Sequence, residues 1–194
     1  MALTEGRYRR GMLGLLLAAG LASIPSSGFA EVAFGYRQKV VSLDIYGEIR
    51  PFDVELFSSL LMKFPDAKRV NLDTDGGSLN AAMQIGYTIR AHGMTTVVTG
   101  RCASACLYVL MAGTARLAER KAQLAAHTPR VGDDIARSKS DVFALAFQVH
   151  RNVEHYVWSM GFGNNLVRVL IDGNRSDPWV IDINRARELG LLTR

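Results

Sequence analysis

Ser104 stands between two alanines and two cysteines, in Cys102-Ala103-Ser104-Ala105-Cys106. A serine hydroxyl becomes an effective nucleophile only when a neighbouring base takes its proton. The small Ala103 and Ala105 suit a crowded strand-to-helix turn that would present such a hydroxyl. The glycine-flanked elbow of α/β-hydrolases, G-x-S-x-G, is absent, which disfavours that family. The same serine could instead cap the following helix, the commoner job for serine at such a place. His127 closes an apolar run and precedes Pro129, so it is the candidate base; the alternative is a structural histidine at a strand end. Gly76-Gly77, just before a helix start, offers backbone N–H groups to an anion. With the Ala105 N–H as a second donor these could form an oxyanion hole; the plain alternative is an ordinary glycine turn. Neither phosphate-binding pattern, G-x-x-x-x-G-K-[ST] nor G-x-G-x-x-G, is present.

Two further clusters carry less. His150, Glu154 and His155 match neither H-E-x-x-H nor H-x-x-E-H. On a helix His155 sits about 100° round from the face shared by the other two, so a solvated surface is expected and no metal site. Cys102 and Cys106 have a spacing of four, and on a helix that puts their Cα atoms near the upper limit for a bridge. Two small buried side chains are the plain reading, with a Cys102–Cys106 disulfide as the alternative that an oxidising compartment would allow, and no further ligand pair completes a metal set.

These residues need elements to hold them. Val40–Tyr46 reads as a strand, Pro51–Phe64 as an amphipathic helix, and Val70–Asp73 as a second strand. Asp75–Ser78 reads as a sharp turn with Ser78 capping a helix to about His92. Thr95–Thr99 is a third strand, and Gly100-Arg101-Cys102 turns into a helix from near Ser104 to Gly113. Strands at Arg116–Ala118 and Gln123–His127, a long helix from Ser140 to Met160, a short helix Asn165–Ile171, a strand Trp179–Ile181 and a last helical turn follow. Alternating strands and helices predict right-handed units and a mostly parallel sheet. Sites in such sheets lie beyond the carboxyl ends of strands. Asp75–Ser78, Cys102–Cys106 and His127-Thr128-Pro129 all fall at such ends.

The first 30 residues differ in kind. Arg7, Arg9 and Arg10 precede an uncharged apolar run, Gly11–Ile24, and then small residues up to Ala30. That order predicts a signal peptide over residues 1–30, cleaved near Ala30, and hence a secreted or periplasmic protein with a single domain over 31–194. The apolar run is shorter than the roughly 20 residues that cross a bilayer, so an uncleaved anchor is the lesser reading. No membrane span is expected after cleavage. With 194 residues, 48% of them hydrophobic and 21% charged, the chain can bury one sizeable core. Setting the leader's three arginines and Glu5 aside lowers the net charge from +5 to +3. So mild and dispersed an excess gives no case for nucleic acid.

Taken together the motifs resemble the Clp protease proteolytic subunit of the Clp protease–crotonase superfamily, and still more the periplasmic Clp-like proteins. Leu72-Asp73-Thr74-Asp75-Gly76-Gly77-Ser78 is similar to the family's strand followed by S-P-G-G, with Asp75 in place of proline. Ser104–Gly113 resembles its nucleophile helix ending in A-G, and Ala125–Pro129 its apolar strand carrying the catalytic histidine. Ala186–Leu192 resembles its closing segment. The helix Ser140–Met160 falls where Clp subunits carry an oligomer-forming helix.

The resemblance implies an α/β crotonase-like fold of repeated ββα units and a homo-oligomer. It also implies a serine peptidase without cofactor or metal, acting on peptides or unfolded chains. Without ATP in the periplasm, no coupling to an unfoldase is expected. Ser104 would attack, His127 would take and return the proton, and the Gly76-Gly77 turn with Ala105 would hold the oxyanion. The third member points to Asp177, with Asp172 and Asp182 close by and Lys139 as a dyad lysine instead. Rival readings are a catalytically silent Clp-like binding or assembly protein, a crotonase-type acyl-CoA enzyme, and a thiol redox role for Cys102 and Cys106.

Overall fold

The computed structural model describes residues 31–37, 40–128, 139–171 and 179–193. Along the chain run β1 (Glu31–Arg37), β2 (Val40–Ile49), α1 (Asp53–Lys63), β3 (Arg69–Gly77), α2 (Leu79–Ala91), β4 (Thr95–Ala103), α3 (Cys106–Ala112), β5 (Arg116–Ala118), β6 (Gln123–Ala126), α4 (Lys139–Ser159), α5 (Asn164–Ile171), β7 (Trp179–Ile181) and α6 (Ile183–Glu188). The sheet order is β1-β2-β3-β4-β6-β7, with β5 also paired to β4. β2, β3, β4, β5 and β6 are mutually parallel where they pair, while β1 and β7 join their neighbours antiparallel. This is the mixed α/β, mostly parallel architecture expected of a Clp-like chain.

Three differences from the sequence expectation bear on the site. No element is expected before Val40, yet β1 forms there as an edge strand on β2. Asp75-Gly76-Gly77, expected as a turn, belongs to β3: Gly76 and Gly77 pair with Glu48 and Ile49 of β2. Gly100-Arg101-Cys102, also expected as a turn, extends β4. There Thr74 pairs with Cys102, and the Arg101 N–H donates to Asp73 Oδ1 at 2.8 Å. Long-range ladder bonds override the local turn propensity of glycine at both places. Each strand therefore runs further toward the site than its hydrophobic pattern indicates.

β4 changes partners along its length. Thr96–Val98 pair with β5, and Arg101–Ala103 pair with β6. The second register sets Ala103 beside Ala125, one strand spacing of about 4.8 Å away. The residues that follow, Ser104 and His127, therefore leave neighbouring strands at the same end of the sheet.

α3 is the centre of the core, with all seven residues buried. It packs on β3 and β4 and against α2. Gly86 of α2 leaves room for Tyr156 of α4, since a Cβ there would lie 1.8 Å from the Tyr156 hydroxyl. That hydroxyl donates to the Tyr108 carbonyl of α3 at 2.7 Å, tying α4 to α3. Arg90 of α2 serves the helix ends. Its Nε donates to Ala112 O at 2.8 Å, and its terminal nitrogen to Met111 O at 2.9 Å and Met160 O at 3.3 Å. A cation suits the carbonyl ends of two helices.

Candidate active site

Ser104 has φ +53°, the left-handed region, and is the one such non-glycine among the described residues. This conformation costs an L-residue roughly 1–2 kcal/mol, so the surroundings must enforce it. Four restraints do so. The Ser104 N–H donates to Ala125 O of β6 at 3.0 Å, and Ser104 O accepts from Leu107 N of α3 at 3.1 Å. Gly76 packs against the same turn: a Cβ there would lie 2.7 Å from Ala103 O and Ala105 N, and 2.8 Å from Ser104 Cβ. The fourth restraint is covalent.

Cys102 and Cys106 form a disulfide across Ser104, with Cα atoms 5.2 Å apart. The plain reading of two separate buried thiols is therefore corrected, and the alternative bridge is the one that forms. That reading rested on the Cα spacing of a helix. Instead Cys102 ends a strand, Cys106 begins α3, and the left-handed residue between them draws the two backbones together. Both side chains are fully buried.

The helix-cap alternative for Ser104 also meets a structural answer. The residue at the start of α3 is Ala105, and no side chain caps it. Ser78, by contrast, caps α2 as expected, its Oγ accepting the Ala81 N–H at 3.3 Å. Ser104 Oγ has no hydrogen-bond partner among the described residues, and Ser104 is half-buried at the edge of a cavity of about 650 Å³.

His127 lines that same cavity. Its Nδ1 lies 2.8 Å from the carbonyl of Thr128. A carbonyl only accepts, so Nδ1 carries the proton in this contact and Nε2 of the neutral ring is left with a lone pair. Gly77 and Ala105 line the cavity too. Gly76 has a different part from the one expected. Its N–H donates to Thr74 Oγ1 at 3.0 Å, so it supplies close approach to the Ser104 turn rather than a donor. The Ser78 N–H is taken by Ile49 O at 2.7 Å. No described backbone acceptor takes the Ala105 N–H.

The acid is the least complete part. Asp177 and Asp172 lie outside the described residues, as does the Lys139 side chain. Asp182 follows β7 and caps α6, its Oδ1 accepting the Arg185 N–H at 2.9 Å, so it is occupied elsewhere. Among the described residues no three His, Cys, Asp or Glu groups gather to hold a metal ion. No described helix is long and apolar enough to cross a membrane.

The Clp protease family matches residues 60–160, just over half of the chain and the part that carries β3, β4, α3, β6 and α4. The chain belongs to the Clp protease family. No curated protein matches it. Within this Clp protease domain the family match takes in Gly76, Gly77, Ser104 and His127, whereas Asp177 lies beyond its end. Asp75, where the family has proline, is ion-paired with Arg101 at the exposed rim of the cavity. Such a surface pair contributes little stability.

Sequence reasoning missed several wall residues of this Clp-type site. Asn80 comes from the first turn of α2, Gln148 and Asn152 from α4, and Tyr108 from α3. Tyr108 is four residues after Ser104, and that interval along a helix start was the available signal.

Proposed function

We propose that this Clp protease family member is an exported serine peptidase that cleaves peptides or unfolded chains without ATP. The observation that carries the reading is Ser104. It is held left-handed, with a hydroxyl that has no partner among the described residues, in a cavity that His127, Gly77 and Ala105 also line. Ser104 Oγ attacks the substrate carbonyl while His127 Nε2 takes its proton. The Gly77 and Ala105 N–H groups receive the developing oxyanion. His127 returns the proton to the leaving amine, and water repeats the sequence to release the acyl group. Asp177 is the acid assigned to orient the imidazole.

Export is supported by the leader-like residues 1–30 and by a disulfide, which persists in oxidising compartments. Self-assembly is supported by α4, where Val142, Phe143 and Phe147 stand exposed. Phe143→Glu with Phe147→Glu should lower the mass seen by light scattering.

The rival, a catalytically silent binding protein, draws on one observation: the His127 Nδ1 bond goes to a backbone carbonyl rather than to a carboxylate. A fluorophosphonate probe decides between them. It should label Ser104 in the purified chain and fail on Ser104→Ala; absence of labelling under conditions where the protein is folded refutes the peptidase reading.

A further inference from the structure

Tyr108 lies on α3, is 3% exposed and lines the cavity with Ser104 and His127. Its hydroxyl is fully buried and has no hydrogen-bond partner among the described residues. A buried polar atom left unpaired costs about 1–3 kcal/mol, so a native structure that keeps one calls for an occupant that completes it. Phenylalanine would pack the same ring without that cost.

The other residues that line the cavity restrict what could occupy it. Leu107, Leu145, Val149 and Leu170 are apolar, while Asn80 and Asn152 bring amides. Among the described lining residues there is no lysine or arginine, so an acidic side chain would find no counter-ion among them. Among the described lining residues the one carboxylate, Asp75, is at the exposed rim and already paired with Arg101, so a cationic side chain finds no free partner among them. A purely aliphatic side chain would exclude water and leave the phenol unpaired. Burial pushes the Tyr108 phenol far above the ordinary tyrosine value, so it stays neutral and both donates and accepts.

We propose that Tyr108 is a specificity-determining residue, whose buried hydroxyl selects a substrate with a neutral amide side chain, of glutamine type, at the residue donating the scissile carbonyl. This rests on the reading of the cavity as the substrate site.

The test measures binding rather than turnover. The Ser104→Ala chain is titrated calorimetrically with end-blocked Ala-Ala-Gln-Ala and Ala-Ala-Met-Ala, whose third side chains match in length. The glutamine peptide should bind about fivefold tighter or better, the scale of one net hydrogen bond. Adding Tyr108→Phe should erase that preference while the chain stays folded. Equal affinities, a preference that survives Tyr108→Phe, binding of neither peptide, or a Tyr108→Phe chain that no longer folds would each overturn the proposal. Fluorophosphonate labelling of the unaltered chain reports the peptidase reading separately. Labelling without a glutamine preference removes only the Tyr108 role, and a preference without labelling removes only the chemistry.

Discussion

Reducing the Cys102–Cys106 bridge should loosen Ser104 more than it loosens the protein. The bridge closes a segment of sequence separation 4 around the left-handed residue. Chain-entropy reasoning for so short a loop gives about 2 kcal/mol of stabilisation. For a domain of this size that is a loss of roughly 4–8 °C in melting temperature. Locally the comparison is closer: the left-handed conformation of Ser104 costs roughly 1–2 kcal/mol, similar to what the bridge contributes. Release of that strain would lower the population of the presented hydroxyl by a factor of about 5–30. Both cysteines are fully buried, so the reduced form is best made by unfolding in reductant and refolding with reductant present. Two readouts follow. The fluorophosphonate labelling rate per folded molecule should fall by the same factor of about 5–30. Amide exchange at Ser104, whose N–H is bonded to Ala125 O at 3.0 Å, should speed up more than exchange in β3. A reduced protein that labels and exchanges at Ser104 like the oxidised one would show that Gly76 packing and the Ala125 bond suffice, and that the bridge does not position the serine.

Gly76→Ala should destabilise the chain by more than about 2 kcal/mol and abolish labelling, because its φ of +100° and contacts of 2.7 Å to Ala103 O and Ala105 N leave no place for a methyl; urea unfolding and probe labelling check both. Tyr156→Phe should cost about 0.5–1.5 kcal/mol by removing one net hydrogen bond, the one that Tyr156 adds to a Tyr108 carbonyl within the α3 ladder. It should also soften the damage of Gly86→Ala, whose Cβ would sit 1.8 Å from the lost oxygen; a double-mutant cycle measures that coupling. Asp53 is buried at the start of α1, with Oδ2 accepting the Arg50 N–H at 2.7 Å and Oδ1 unpaired among the described residues. Burial raises its carboxyl above 3.8, against the opposing pull of the Arg50 N–H and guanidinium. A raised folded-state value means that the folded chain binds the proton more tightly. Its contribution is present below pH 3.8 and is lost as pH rises through the raised value. Asp53→Asn should therefore remove a fall in stability on going from mildly acid to neutral pH, measured by urea unfolding at each pH.

What the amino-acid sequence determined by itself was the alternation of apolar strands and amphipathic helices, and with it the parallel sheet. It also determined the order in which a glycine pair, a serine and a histidine fall at the ends of strands. Those are local or periodic signals, and residues such as Ser78 at its cap express them directly. Tertiary structure decided what depends on distance between segments. The bridge across Ser104 exists because a strand, a left-handed residue and a helix start bring Cα atoms to 5.2 Å, where a continuous helix would not. β3 and β4 run on through glycines because ladder partners in β2 and β6 hold them there. Gly76 became a contact rather than a donor because Thr74 Oγ1 reaches its N–H. The ring proton of His127 was assigned by a neighbouring carbonyl, and the Tyr108 hydroxyl, unpaired among the described residues, emerged only once α3 was buried against the cavity. Each of these turns on which groups meet across the sheet, and spacing along the chain carries no record of that meeting.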